Sequence, residues 1–335
     1  MRQYILRRLV SLVLVLLGMS VMTFIISHML PADPAAAAAG WEASKEVIEN
    51  IRRQMGLDRP LYEQYFRYIG GIILKGDLGY SILNHRPVLQ DILTYLPASI
   101  ELAIVSMIIC VPLGILIGTI TATHPGGFSD AATRAFAIIG VSMPIFWLGL
   151  LMQLLFYRIL RWFPPGGRIA INVAPPRPIT RLYLVDSLLT GNWAAFTSSL
   201  HHIILPALTL AISSMAIIAR MTRSSLLEVL CQDYIMTARA KGLSNWQVLY
   251  RHAWKNAFVP VVTVTGLQFA RLIAWVVLLE TIFNWPGIGS YAVRALMALD
   301  FSAVMGVTLF TSSMYVAINL VVDILYVFLD PRIRY

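Results

Sequence analysis

Residues able to do chemistry are sparse in this chain, and their spacing excludes most of what they could do. There is no G-x-x-x-x-G-K-[ST] to cradle phosphates, no C-x-x-C, no H-E-x-x-H and no G-x-S-x-G. His201 and His202 are adjacent, so on a helix they point about 100° apart, and no acid stands near to complete a metal set. Neither a catalytic residue nor a metal site is expected. What remains is a set of polar residues in or beside long apolar runs. Gln268 and Arg271 are three apart and share a helical face, with Trp275 next on the stripe, and Glu280 lies further on. Asn319 and Asp323 pair likewise, four apart. A cation beside an amide suits the binding of a carboxylate or an ion pair between helices, and not covalent catalysis.

The elements carrying these residues follow from composition. Of 335 residues, 58% are hydrophobic and only 13% charged, against roughly 45–50% and 25% in soluble globular chains. That excludes a soluble domain and a disordered chain, and two cysteines exclude a disulfide scaffold. Cys110 lies in an apolar run and Cys231 in a basic segment, so they are not placed to pair. The formal charge of +9 would suggest nucleic acid in a soluble protein. In a membrane protein, Lys and Arg collect in cytoplasmic loops, and no nucleic-acid partner is expected.

A hydrocarbon core about 30 Å thick needs about 20 apolar helical residues. Leu9–Leu30, Leu102–Thr123, Ala135–Tyr157, Ile203–Ala219 and Phe301–Val322 meet or approach that without one charge. Ala257–Leu279 is interrupted only by Arg271. The expected fold is an all-α integral membrane protein with six transmembrane helices. The first run could be a cleaved signal peptide, but signal h-regions run about 7–15 residues, so an uncleaved span is favoured. With the N-terminus inside, the inner segments hold twelve basic residues and four acids, whereas Pro31–Pro97 holds seven and eight. Both termini are expected to be cytoplasmic. Within that outer segment, Ser44–Gly56 and Leu61–Leu74 read as helices and Gly76–Tyr80 as a turn, and Arg161–Leu200 reads as an irregular outer loop.

The inner loop 220–256 holds a pattern suited to contact with a partner. Ser224–Lys241 reads as a helix with cations in its last turn, and Gly242 stands where a C′ glycine would end it. Ser244-Asn245-Trp246-Gln247 is a Ser-x-x-Gln capping box starting the next helix, on which Trp246, Leu249 and Tyr250 lie within one turn. They could fill a pocket on a partner, or the segment could lie on anionic lipid.

This loop carries a resemblance. Asp233-Tyr234-Ile235-Met236-Thr237-Ala238-Arg239-Ala240-Lys241-Gly242, followed by His252 and Asn256-Ala257, resembles the "EAA" loop of ABC-importer permeases, closest to the peptide branch. Further matches come in order: His28-Met29-Leu30-Pro31-Ala32-Asp33-Pro34, Gly76-Asp77-Leu78-Gly79, Arg86-Pro87-Val88, Ser142-Met143-Pro144-Ile145-Phe146-Trp147, Glu280-Thr281-Ile282-Phe283-Asn284-Trp285-Pro286-Gly287-Ile288-Gly289 and Asp330-Pro331-Arg332-Ile333-Arg334. The founding glutamate has no counterpart, since Met236 stands six before Gly242. Length and the outer loop before the fourth span resemble the B-type permease of a dipeptide system.

The resemblance implies a type I ABC importer transmembrane fold in the cytoplasmic (inner) membrane. It also implies a second homologous permease as heterodimer partner, two cytoplasmic ATPase subunits that bind ATP and Mg, and an extracytoplasmic solute-binding protein. No cofactor is expected in this chain. Dipeptides, oligopeptides, nickel chelates, glutathione and haem all pass through relatives, and a dipeptide or related peptide is the expected substrate. The expected organisation is a tip and first span over 1–30, an extracytoplasmic segment over 31–97, a permease domain over 98–328 and a tail over 329–335. In this domain the spans run about 102–123, 135–157, 203–219, 257–279 and 301–322. The expected ATPase-coupling residues are Ala238, Arg239, Gly242, Ser244, Trp246, Leu249, Tyr250, His252 and Asn256. Gln268, Arg271 and Trp275 are candidates for the path, with pairing of Arg271 to Glu280 or Asp323, near Asn319, as the alternative. Two other classes remain: a secondary transporter, which would show inverted repeats, and an intramembrane enzyme, which would need paired acids or a nucleophile and base.

Overall fold

The computed structural model describes residues 2–29, 33–40 and 43–329. In chain order the helices are α1 (Arg2–Met29), α2 (Pro34–Ala39), α3 (Lys45–Met55) and α4 (Leu61–Lys75), followed by a two-stranded hairpin, β1 (Tyr80–Ser81) and β2 (Arg86–Pro87). Then come α5 (Val88–Thr123), α6 (Phe128–Ser142), α7 (Ile145–Met152), α8 (Tyr183–Leu189), α9 (Trp193–Leu230), α10 (Asp233–Ala240), α11 (Asn245–Gln247), α12 (Trp254–Ile282), α13 (Ile288–Met297) and α14 (Phe301–Leu329). Five helical stretches are long and apolar enough to cross a membrane, and the bent pair α6–α7 makes a sixth. The chain is thus a multi-pass all-α membrane protein.

Contacts divide the chain into two compact units. One comprises residues up to Pro97 together with Pro286–Ile318. In it α3 begins at Ser44, whose hydroxyl accepts from Val47 N–H, and ends at Gly56, held at φ +70°. Helix α4 packs on α1 through Tyr65, which meets Phe24 edge-on at 5.4 Å and hydrogen-bonds Ser20 at 2.8 Å. The hairpin is pinned by Asp300, a buried carboxylate accepting from Ser81 Oγ (2.6 Å), Leu83 N–H (3.0 Å) and Ala303 N–H (3.1 Å). A single acid therefore caps the start of α14 and anchors the strand. Asp91, equally buried, is paired with Arg86 and accepts from Tyr291 Oη at 2.7 Å.

The other unit comprises Ala98–Trp285 with the described residues 319–329. Its axis is α9, whose apolar window is 72% buried, against 33% for α5 and 28% for the stretch leading into α12. Helix α5 approaches α9 closely because Gly114 and Gly118 have no side chain: a Cβ at Gly118 would lie 2.5 Å from Ala219 O, and one at Gly114 2.9 Å from Ile218. The expected fourth span 203–219 is the centre of this 38-residue helix, so its N-terminal end absorbs part of the supposedly irregular loop 161–200, which also holds α8.

The rest of that loop is held by two buried acids. Glu101 receives Arg168 through Nε (3.0 Å) and Nη2 (2.6 Å) and also accepts from Leu184 N–H at 2.7 Å. Asp186 accepts from the N–H groups of Ile179, Thr180 and Arg181 and from Thr180 Oγ1. Burial raises its pKa, but these four donors reverse that and hold the carboxyl below the ordinary value.

Two expected continuous helices are broken. The run Ala135–Tyr157 bends by 109° between α6 and α7. Pro144 has no N–H to offer Gly140, and the Ser213 hydroxyl of α9 donates to the Gly140 carbonyl instead, at 2.8 Å. The expected helix Ser224–Lys241 is interrupted at Cys231-Gln232, where α9 ends and α10 begins. Cys110 is buried and Cys231 exposed, and both are free thiols.

Candidate functional site: a helical turn at the base of the bundle and a cavity at mid-helix

The chain from α10 to α12 turns sharply. Leu243 N–H reaches back to Ala238 O (3.4 Å) and Gly242 N–H to Arg239 O (2.9 Å), the paired bonds of a Schellman motif, with Gly242 at φ +77°. Ser244 then caps the next turn: its hydroxyl accepts from Gln247 N–H, and the Gln247 side chain accepts from Ser244 N–H at 3.1 Å. The chain passes through a π-helical turn, Val248–Ala253, directly into α12.

Underneath the turn lies an apolar core of Ala122, Leu226, Val229, Ile235, Ala238, Val248, Ala253 and Ala257. It joins the turn to the ends of α5, α9 and α12. Asn256 Nδ2 donates to Tyr234 Oη at 2.7 Å, tying α10 to α12 a second time. Asp130, on α6, takes Arg223 of α9 bidentately at 2.6 and 3.0 Å. The turn is therefore rigid against the helices that bear it.

The nine residues expected to couple gather here and divide by exposure. Ala238 belongs to the core and Leu249 packs against it, and His252 is half-buried. Arg239, Gly242, Ser244, Trp246, Tyr250 and Asn256 are exposed. Trp246 and Tyr250 rest against each other with ring centroids 3.9 Å apart. Two neighbours that the sequence did not single out as anchors, Tyr234 and Met236, are also exposed. Exposed aromatics fixed on a rigid turn, flanked by Arg239, Lys241, Arg251 and Lys255, form a surface suited to docking.

The second set of residues meets at mid-helix. Gln268 is the midpoint of α12, fourteen residues from Trp254 and from Ile282. It lines an open-sided cavity of about 530 Å³ with Arg271 and Trp275, both exposed, and the Ser142–Phe146 break and Ser213 and Ser214 of α9 border it on the other side. Gln268 is only 4% exposed. Neither it nor Arg271 has a hydrogen-bond or ion-pair partner among the described residues. Glu280 does not join them: it is fully buried and accepts from Ser99 Oγ at 2.5 Å. Asn319 is half-buried on α14 outside the cavity lining, and the side chain of Asp323 lies outside the described residues. His201 bonds Trp162 O and lies tilted against Phe163, ring centroids 5.4 Å apart. Among the described residues no group of three His, Cys, Asp or Glu side chains could hold a metal.

Comparison with known proteins decides the family. The family described as "Binding-protein-dependent transport system inner membrane component" matches residues 114–335, and the corresponding N-terminal family matches residues 1–103. This chain belongs to that family. Among relatives of this permease, a probable D,D-dipeptide transport system permease protein of Escherichia coli K12 is 48% identical over 96% of this chain and 95% of its own length. A dipeptide transport system permease protein of Alkalihalophilus pseudofirmus is 42% identical over the whole of both chains. A di/tripeptide transport system permease protein of Pseudomonas aeruginosa is 40% identical over 100% of this chain and 99% of its own.

Proposed function

We propose that this chain is one permease subunit of an ATP-driven importer of dipeptides in the cytoplasmic membrane, with both termini inside. A second, homologous permease, two cytoplasmic ATPase subunits and an extracytoplasmic binding protein complete the system. The names of the relatives support the substrate class, each being named for a dipeptide or di/tripeptide system. The single observation that carries the mechanism is the rigid turn at Gly242 presenting Trp246 and Tyr250 outward.

ATP binding by the partners draws the ATPase pair together and displaces this surface. The apolar core beneath it transmits the displacement to α5, α9 and α12. Helix α12 carries Gln268 and Arg271, so the cavity moves with the turn. Each ligand drives the cycle only through its different affinity for the outward- and inward-open states. ATP and Mg belong to the partner subunits.

Reconstitution of the four kinds of subunit in vesicles tests the reading. Labelled dipeptide should accumulate only with ATP on the ATPase side and binding protein on the other. Accumulation driven by this chain alone, or without ATP, would refute it.

A further inference from the structure

Three features meet in the cavity at the centre of α12. The helix restarting at Ile145 leaves the N–H groups of Ile145, Phe146 and Trp147 without intrahelical acceptors, and no side chain caps them. Ile145 and Phe146 line the cavity. Gln268, 96% buried, lines it without a hydrogen-bond partner, and Arg271 lines it without a counter-ion among the described residues. The Gln268 amide is accessible from the cavity and the Arg271 side chain is exposed beside it, so both are free to meet a ligand there. The positive end of the α7 dipole adds to the same field. Among the described residues no Asp or Glu lines the cavity.

We propose that this cavity binds the C-terminal carboxylate of the transported peptide, through Arg271, the Gln268 amide and the free N–H groups opening α7, and does not read the peptide's amino end. The inference rests on the permease reading and deepens it. One guanidinium and a short helix dipole balance a single negative charge, the charge of a carboxylate. About 530 Å³ falls within the roughly 300–1,000 Å³ range of small-molecule sites. Gln268 is about 21 Å from either end of α12 at 1.5 Å per residue, too deep for a lipid headgroup. With no acid among the described lining residues, this cavity offers the ammonium end no fixed partner, so its selectivity falls on the carboxylate end.

The test measures equilibrium binding to the permease pair with its ATPases in nanodiscs, without binding protein, using Ala-Ala, its C-terminal amide and its N-acetyl derivative. Wild type should bind Ala-Ala at least about tenfold tighter than the amide, as one charge-assisted hydrogen bond implies, and the N-acetyl form about as well as Ala-Ala. Arg271→Gln should weaken Ala-Ala about tenfold and leave the amide unchanged, and Arg271→Lys should restore part of the preference. Equal affinity for acid and amide, a strong loss on N-acetylation, or preference retained in Arg271→Gln would overturn the proposal. If Arg271→Gln fails to assemble, the wild-type peptide series decides alone. ATP-dependent uptake in the same preparation separates the two claims: uptake without discrimination defeats the carboxylate site only, and no uptake defeats both.

Discussion

Replacing Gly242 by Val isolates the geometry of the turn from its packing. The residue sits at φ +77°, and a Cβ there would meet nothing within 4 Å, so the penalty is backbone strain alone. For an L-residue in the left-handed region this is about 1–2 kcal/mol, and β-branching places Val at the upper end. That energy shifts the balance between the native turn and a relaxed one by a factor of about 5–30. Relaxing would cost the Leu243–Ala238 and Gly242–Arg239 bonds and turn Trp246 and Tyr250 away from their present direction. The assay is affinity of the purified permease pair for its ATPase, with ATP-dependent dipeptide uptake alongside. ATPase affinity should fall about 5- to 30-fold in Gly242→Val, less in Gly242→Ala, and hardly at all in Gly242→Asn, because Asn tolerates this region. Membrane insertion should be unchanged, since the spans lie away from the strain. If Val, Ala and Asn variants all match wild type, the turn does not orient the docking surface and the reasoning fails.

Further outcomes follow from the packing and the outer loop. Gly118→Val should force α5 off α9, since its Cβ would lie 2.5 Å from Ala219 O and 2.6 Å from Thr222, and the detergent-solubilised protein should lose several degrees of melting temperature, read by thermal-shift fluorescence. Glu101→Gln leaves Arg168 buried without its counter-charge, a loss of about 3–5 kcal/mol, and limited proteolysis should then cut within residues 161–189 of a still-inserted chain. Asp186 has a depressed folded-state pKa, so its contribution is present above the ordinary carboxylate value near 4 and is lost as pH falls through the lower folded value. Hydrogen exchange at Ile179–Arg181 should accelerate in that acid window, and Asp186→Asn should remove the pH dependence.

Much of this architecture was legible in local sequence signals. Ser44 and Gly56 bracket α3, and the Gly242 and Ser244 signals define the turn, because caps are set by residues within one turn of each other. Apolar runs located the spans for the same reason. What escaped depends on distant partners. The 109° bend at Ser142–Pro144 is stabilised by Ser213, seventy-three residues away, and Pro144 within the run was the one available signal. The pair Glu101–Arg168 joins the start of a span to a Pro- and Gly-rich loop, and neither neighbourhood announces the other. Gly114 and Gly118, spaced by four, carried a small-residue pattern that foretells close helix packing. In the mid-helix set, Gln268, Arg271 and Trp275 share one cavity, as a common stripe implies, whereas Glu280 bonds Ser99 and stands apart from Arg271.

The central claim, that the surface around Trp246 meets an ATPase subunit on the cytoplasmic side, is tested most directly by site-specific cross-linking in the assembled importer. Single cysteines at Trp246 or Met236, in a background with Cys110 and Cys231 replaced, would be labelled with a thiol-reactive benzophenone and irradiated, so that the ketone inserts into a C–H bond of whatever lies against it, with Phe66 on α4 as the comparison site. All three side chains are well exposed, so reagent access does not separate them. Both loop positions should give an adduct with the ATPase subunit, and position 66 should give none. An adduct from position 66, or none from 236 and 246 in a complex that still hydrolyses ATP, would contradict the account.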